Sequence, residues 1–447
     1  MAQPYWAATG LPERCNPMRQ VYAPDSVGNE LYIVGRIILD TSAFWYPLNP
    51  VMRYSGGAWD TLSYVQWGFI ESIVVYHDTL IIGGNFNFIE DGSPCEGILY
   101  WANGAWHPFG NLEHQVRKLR VLDDTLYATG GFHNADGLPT MGIARRVGGQ
   151  WVPVGTVQEP DVLMLDVIKY QGRLVAIGNG YINGLRGIFQ FEGNQWSALG
   201  PGFVGGVSGG ACLAVYQGDL YVGGQISIPE GNAGQEIMRW DGSSFHAVGT
   251  GLQWELGNLY SFSTCTDMKV HDGLLWVCGG FNYAGGVEAH GVATWNGTNW
   301  CGVHGDFTSS QNGYVSSMDF YGDTLFVACG DTADGQYVNN SAKFIGVSYV
   351  DTCGSPVGLS ENNGHARPLV LLNSVAYSGQ PLHLTVDGSV SSILLYSSEG
   401  RLVKASQVQG PGSIHLGVDA LASGTYIVVG VDDSNIPVAR LKALVLN

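Results

Sequence analysis

The chain has 447 residues, 65 of them glycine, roughly twice the usual share of about 7%. Only 13% of residues are charged, the net charge is −18, and 13 Trp, 22 Tyr and 16 Phe supply material for a core. These figures exclude a disordered tail protein and a collagen, since glycine has no three-residue period; they disfavour nucleic acid or an anionic membrane surface as partner, and no apolar run nears the ~20 residues of a transmembrane segment.

The start, Met1-Ala2-Gln3-Pro4, lacks the basic and apolar regions of a signal peptide. Ala-Gln suits the junction left by signal cleavage, so a mature exported chain with an added Met is expected. Tyr5-Trp6-Ala7-Ala8-Thr9-Gly10 reads like Phe245-His246-Ala247-Val248-Gly249-Thr250 and is expected to act as a stray fourth strand that locks onto the last repeat.

A repeat of 45–55 residues then fills 15–357. Its Leu-led strand opens at Leu31, Leu80, Leu126, Leu174, Leu220, Leu275 and Leu325, and most copies end in Gly-Gly or a close variant. A turn such as His77-Asp78, Gln171-Gly172, Gln217-Gly218 or Asp272-Gly273 precedes the strand, marking a hairpin. A second hairpin follows, with two large residues five apart around a Gly turn: Tyr54/Trp59, Trp101/Trp106, Arg146/Trp151, Phe191/Trp196, Trp240/Phe245, Trp295/Trp300 and Phe344/Tyr349. Each unit therefore reads as four short strands. A four-stranded sheet this small cannot bury both faces alone, and radial packing of seven such sheets gives an all-β fold, a seven-bladed β-propeller. Trp106, Trp196 and Trp300 are expected between blades. No helical periodicity is sustained, so α/β readings fail.

The repeat stops near Cys353, and residues 358–366 read as a polar linker. In 367–447 five basic residues (Arg367, Arg401, Lys404, Arg440, Lys442) cancel five acidic ones (Asp387, Glu399, Asp419, Asp432, Asp433), so the whole −18 belongs to 1–366. Alternating strands there suit a small C-terminal β-sandwich. Eight cysteines without CxxC or Cys/His spacing give no disulfide framework or metal motif. Most are expected in strands as small apolar residues. Cys15 and Cys353 flank the repeat, and ring closure in an exported protein suggests a bridge between them.

Two resemblances arise from these residues. Gly-Gly after the second strand, followed by an aromatic pair across the third and fourth, resembles kelch repeats and the propeller of galactose-oxidase-like proteins. Glu399-Gly400-Arg401-Leu402-Val403, then Ala422-Ser423-Gly424-Thr425-Tyr426-Ile427-Val428, then a closing strand with Lys442, resembles the type IX secretion system sorting domain. That resemblance implies passage through the periplasm of a Gram-negative bacterium and delivery to the outer surface or medium by the type IX machinery. Its signal residues here are Gly400, Arg401, Leu402, Val403, Gly424, Tyr426 and Lys442.

Catalytic motifs are sparse. The eleven histidines form no HExxH or close pair, and GxSxG and P-loop patterns are missing. Galactose-oxidase copper chemistry needs two His, tyrosines and a Cys–Tyr crosslink, and no motif here carries it over. Asp331-Thr332-Ala333-Asp334-Gly335 reads as a turn, lacking the acidic spacing of a calcium loop. No cofactor or metal is expected. The loops after Gly-Gly offer the candidate ligand surface: Asn85, Asn87, Asp91, His133, Asn134, Asp136, Asn183, Asn282 and Tyr283, suited to a glycan or a protein ligand. The expectation is a secreted or cell-surface binding and adhesion propeller; the alternative is a secreted carbohydrate-active enzyme on the same scaffold.

Overall fold

The computed structural model describes residues 5–345 apart from 12–13, 25–29, 39–47, 160–161, 183, 205–211, 256–262, 304, 306, 309–313 and 323. It also describes 369–446 apart from 372–374, 378–379, 387, 398–400, 409, 419–420 and 434–436. The chain divides into two compact units, Met1–Ile345 and Gly346–Asn447. The expected linker, 358–366, lies outside the described residues. Among the described residues strands dominate, and the one helical element is a 3-10 turn, Ile228–Glu230.

The first unit repeats one antiparallel meander. In the sheet formed by Leu163–Tyr170, Arg173–Ile182, Leu185–Glu192 and Gln195–Ala198, each strand pairs with the next in the chain. Its first hairpin turns at Gln171 and Gly172, both at positive φ (48° and 78°), the conformation a two-residue hairpin needs. Corresponding sheets begin at Val116, Cys212 and Thr264. The aromatic residues five apart are cross-strand partners: Phe191 faces Trp196, Trp240 faces Phe245 and Trp295 faces Trp300, with ring centroids 4.7–5.3 Å apart.

Two places depart from separate four-stranded units. The first two units form one seven-stranded sheet, because the 19-residue strand Ala58–Tyr76 is the last strand of one half and the first of the other. It passes Gly68 at φ 138°, where a Cβ would lie 1.6 Å from the Asn85 carbonyl oxygen. At the other end of the repeat, Ser317–Tyr321, Thr324–Ala328 and Ser341–Phe344 are joined by Trp6–Ala8 from the chain start, with Trp6 opposite Phe344. Trp6 thus takes the place foreseen for Tyr349, which lies outside the described residues.

Hydrophobic clusters join one sheet to its successor. Val175 and Ile188 pack with Leu213, Val222 and Met238; Ala214 and Ile237 pack with Met268, Val277 and Ala293. Another cluster joins the ends of the repeat, with Leu31, Ile33 and Met52 against Phe326 and Ala328. The sheets therefore follow one another around a closed circuit, the packing of a β-propeller.

A recurring bond fixes the spacing of neighbours. The last-strand tryptophan of one sheet donates its indole N–H to the carbonyl just past the last strand of the preceding sheet. Trp151 bonds Phe109 at 2.8 Å, Trp196 bonds Val154 at 2.8 Å and Trp300 bonds Val248 at 2.8 Å. Trp59 bonds Thr9 at 2.9 Å, repeating the contact across the closure. The residue after each acceptor is a glycine at positive φ: Gly110, Gly155, Gly249 and Gly10. A Cβ at Gly110 would come within 2.7 Å of the Trp151 ring. Trp106 is buried, but its indole nitrogen has no partner. Ser63 stands where five other units have glycine (Gly10, Gly110, Gly155, Gly200 and Gly249), and it lies inside the continuous strand rather than in a turn.

The second unit holds a three-stranded sheet (Leu369–Leu371, Leu382–Val386, Gly412–Leu416) and a five-stranded one. In the latter, Val375–Tyr377 runs parallel to Pro437–Leu446, followed by Gly424–Val431, Ser392–Ser397 and Leu402–Gln407. One core joins both, with Leu384 and Leu416 against Ile393, Leu395 and Val428, as in a sandwich.

The unequal indoles set a test. Trp196→Phe removes a bond and leaves the Val154 carbonyl unpaired, so it should cost on the order of 1–2 kcal/mol more than Trp106→Phe. Urea unfolding of the two variants measures the difference; equal losses would contradict the role given to the indole bond.

Candidate functional site

The residues expected to bind ligand lie on extensions past the Gly-Gly ends of second strands. Asn85 and Asn87 are exposed on Thr79–Ile89, either side of the buried Phe86. Asp91 is exposed in a turn; the Ser93 side chain, and the Ser93 N–H that it accepts at 2.8 Å, hold its carboxyl below the usual range. The exposed His133 ring stands 6.0 Å from His114, and Asn134 donates to Glu113 at 2.6 Å. Asn282 and Tyr283 are half-buried, and Tyr283 pairs in a short ladder with Gln253 and Glu288. Asn183 lies outside the described residues. Among the described residues, no hydrogen bond or ring contact joins candidates of different sheets.

Asp136 has a task within the fold. Its carboxylate accepts the main-chain N–H groups of Asn111 at 2.7 Å and Trp151 at 2.6 Å. Asp334 occupies the same place in the last sheet, accepting from Tyr5 at 2.6 Å and Trp6 at 3.0 Å. Both stand in Ala-Asp-Gly, at positive φ, and both anchor the strand that carries the last-strand tryptophan.

The opposite end of the sheets, where the first hairpins turn, forms a cavity of about 540 Å³. It is lined by Tyr22, Glu30, Lys269, His271, Asp319 and Tyr321, among others. Three first strands, Arg14–Tyr22, Thr264–His271 and Ser317–Tyr321, place all of these but Glu30, which opens the second strand Glu30–Ile38. The charges are paired. Lys269 meets Asp319 at 3.1 Å, and Asp319 also accepts the Ala23 N–H at 3.1 Å. Glu30 accepts from the Tyr32 hydroxyl and lies 3.4 Å from Arg53. Burial opposes the Lys269 charge, but Asp319 and Asp267 outweigh it and raise its pKa. The His271 ring stacks on Phe320 with centroids 3.7 Å apart. Sequence reasoning looked to the other end of the sheets. The signal it passed over was the charges of Asp267, Lys269 and Asp319, set within first strands.

Further along the first strands, side chains tie each strand to the next. The Ile73 N–H donates to Gln20, Leu119 N–H to Ser72, Leu213 N–H to Asp166, Met318 N–H to Asp267 and Val21 N–H to Ser317, at 2.8–3.3 Å. Arg120 spans two further strands, meeting both Asp166 oxygens at 2.8 and 2.5 Å and the Leu213 carbonyl at 3.1 Å. Asp267 is fully buried, yet Lys118, Lys269 and Arg120 overcome that burial and keep its pKa low. Among the described residues no group of three or more His, Cys, Asp or Glu is poised to hold a metal ion.

Of the sorting residues, Arg401, Leu402 and Val403 are exposed at the start of the outermost strand of the five-stranded sheet. Gly424 opens an inner strand, and Tyr426 is buried, its hydroxyl donating to the Ala422 carbonyl at 2.9 Å. Lys442 pairs through its backbone with Ile427. Gly400 and Cys353 lie outside the described residues; of Cys15 the backbone is described, opposite Ile37. Cys301 is disulfide-bonded, whereas Cys95, Cys212, Cys265, Cys278 and Cys329 are free.

No family model and no curated protein matches this sequence. Among solved structures, the extracellular domain of a hybrid two-component system from B. thetaiotaomicron is similar at 10% identity and TM-score 0.46. The match covers all of this chain, which spans 60% of that one. A fungal alcohol oxidase of the AA5 family, in complex with copper, is similar at 11% identity and TM-score 0.43, covering 99% of this chain and 98% of that one. The β-propeller domain of the Trilobed protease from Pyrococcus furiosus is similar at 9% identity and TM-score 0.40, covering 74% and 94%.

One buried carboxyl gives the first unit a pH dependence. Glu236 is 2% exposed and accepts the Ile226 N–H at 2.8 Å and the Ser263 hydroxyl at 3.3 Å. Burial pushes its pKa from 4.5 to about 9, and Glu230 adds to the shift. The unfolded chain ionises near 4.5 while the folded one stays protonated, so this group makes stability fall as pH rises from about 4.5 towards 9. Glu236→Gln should remove that decline, read from unfolding midpoints across the range; an unchanged pH profile would contradict it.

Proposed function

We propose that the first unit is a seven-bladed, non-catalytic binding propeller, displayed on the surface or in the medium of a Gram-negative bacterium, and that its ligand is a glycan. The observation that carries the binding reading is the 540 Å³ cavity at the first-hairpin end. Its tyrosines and His271 offer ring faces and hydroxyls, and its charges already neutralise one another. Such a lining suits a neutral polyhydroxylated ligand, held by stacking and by hydrogen bonds to paired side chains. A glycan array probed with the full chain should show binding that His271→Ala and Tyr321→Ala each reduce at least tenfold. Absence of any bound glycan, or equal binding by both variants, would remove the proposal.

The second unit supports the export half of the reading. It is a compact sandwich in its own right and carries the segments of the sorting resemblance. We propose that 367–447 engage the type IX secretion machinery and that the propeller folds without them. In a host with that machinery, removal of 367–447 should leave a folded propeller in the periplasm, seen by fractionation and circular dichroism. Release of the truncated chain at the full level would refute the sorting role.

A further inference from the structure

The first strands are tied to one another by side chains, but the junction between Cys212–Tyr216 and Thr264–His271 is different. There the contact is between two buried thiols, Cys212 and Cys265, with sulfurs 3.5 Å apart. Both sulfurs sit over Gly223, where a Cβ would fall 2.4 Å from the Cys265 sulfur and 2.9 Å from that of Cys212. No other side chain could occupy that space without displacing them. A third thiol, Cys278, is also buried and stands in the strand beside Cys265, opposite Asp267.

We propose that Cys212 and Cys265 form an oxidative modification site, closing to a disulfide that staples these two sheets through their first strands. The oxidant is a disulfide, either a small molecule or the disulfide centre of an oxidase. The Cys212 thiolate attacks it, forming a mixed disulfide and releasing one thiol. The Cys265 thiolate then displaces the second. Two protein thiols and one oxidant disulfide become one protein disulfide and two oxidant thiols, so protons and electrons balance. Three observations support the pairing. The sulfurs already touch, the two residues lie on first strands of separate sheets joined elsewhere by the Tyr216 hydroxyl on the Gly273 carbonyl at 2.8 Å, and Cys301 is disulfide-bonded in the same unit. Burial raises the Cys265 pKa well above the ordinary thiol value and so disfavours its thiolate. Reaction is therefore tied to opening of this junction, during folding or in a local fluctuation, and slow once the sheets have closed.

Trypsin makes the test direct, because cleavage after Arg186, Arg239 and Lys269 puts Cys212, Cys265 and Cys278 on three different peptides. The full chain is incubated with oxidised glutathione, unfolded without reductant, alkylated and digested. The expected product is peptide 187–239 joined to 240–269, two hydrogens lighter than their sum, and lost on reduction. It should be absent from Cys212→Ser, where Cys265 is alkylated instead. The oxidised chain should also melt several degrees above its reduced form. Full alkylation of Cys212 and Cys265 after oxidation, a link from Cys265 to the Cys278 peptide, or stable glutathione adducts on either thiol would overturn the proposal. The peptide map reads wild-type protein, so it stands even where the variant folds poorly.

Discussion

The bond from a last-strand indole to the carbonyl of the preceding sheet sets the geometry on which the first unit depends. A sheet in a ring must hold its neighbour at a fixed angle, and apolar packing alone is non-directional. The indole supplies direction. Its ring fills the gap between sheets and its N–H selects one carbonyl, so Trp151, Trp196 and Trp300 fix the outer edges of their wedges. The glycine after the acceptor turns the chain away and leaves room for the ring. Toward the axis the spacing is held differently, by Gln20, Ser72, Asp166, Asp267 and Ser317 receiving the N–H of the next strand. These side chains satisfy backbone groups that the convergence of the sheets has taken out of water.

Much of this was legible because it is local. Hairpin partners stand a few residues apart, so the five-residue aromatic spacing and paired turn residues such as Gln171-Gly172 translate directly into register. Even the closure left a trace, since Trp6 to Gly10 carries the same aromatic-to-glycine spacing as Trp151 to Gly155. What stayed hidden is non-local. That Asp136 serves the Trp151 backbone follows from a loop folding back on its own sheet, and nothing in Ala-Asp-Gly separates an anchoring carboxylate from one that faces a ligand. The continuous strand Ala58–Tyr76 hid behind Gly68, which reads as a breaker but here lets two backbones approach. The cavity was missed for the same reason: Glu30, Lys269 and Asp319 lie on three sheets far apart in the chain.

The paired charges along the first strands have a cost that their placement limits. A buried ion pair seldom adds net stability over apolar packing, yet losing one partner strands the other charge. Here Arg120 is shared by the Asp166 carboxylate and the Leu213 carbonyl, and Asp267 lies in the field of three cations. Such groups resist apolar mispairing between strands whose remaining residues are much alike, so they serve the order of the sheets more than their stability.

The strand that closes the circuit is synthesised long before its partner. Trp6–Ala8 emerges from the ribosome some 330 residues before Ser341–Phe344, the segment it pairs with. Until then it has no partner, and the growing chain is an open arc with a bare edge at each end. The loop-closure penalty rises only with the logarithm of length, so the wait is slow rather than prohibitive. An unpaired edge, however, is a template for another chain. A molecule that loses Trp6–Ala8 to a protease would expose Ser341–Phe344 in that way for the rest of its life, and the same strand of a second molecule would fit it as well as its own.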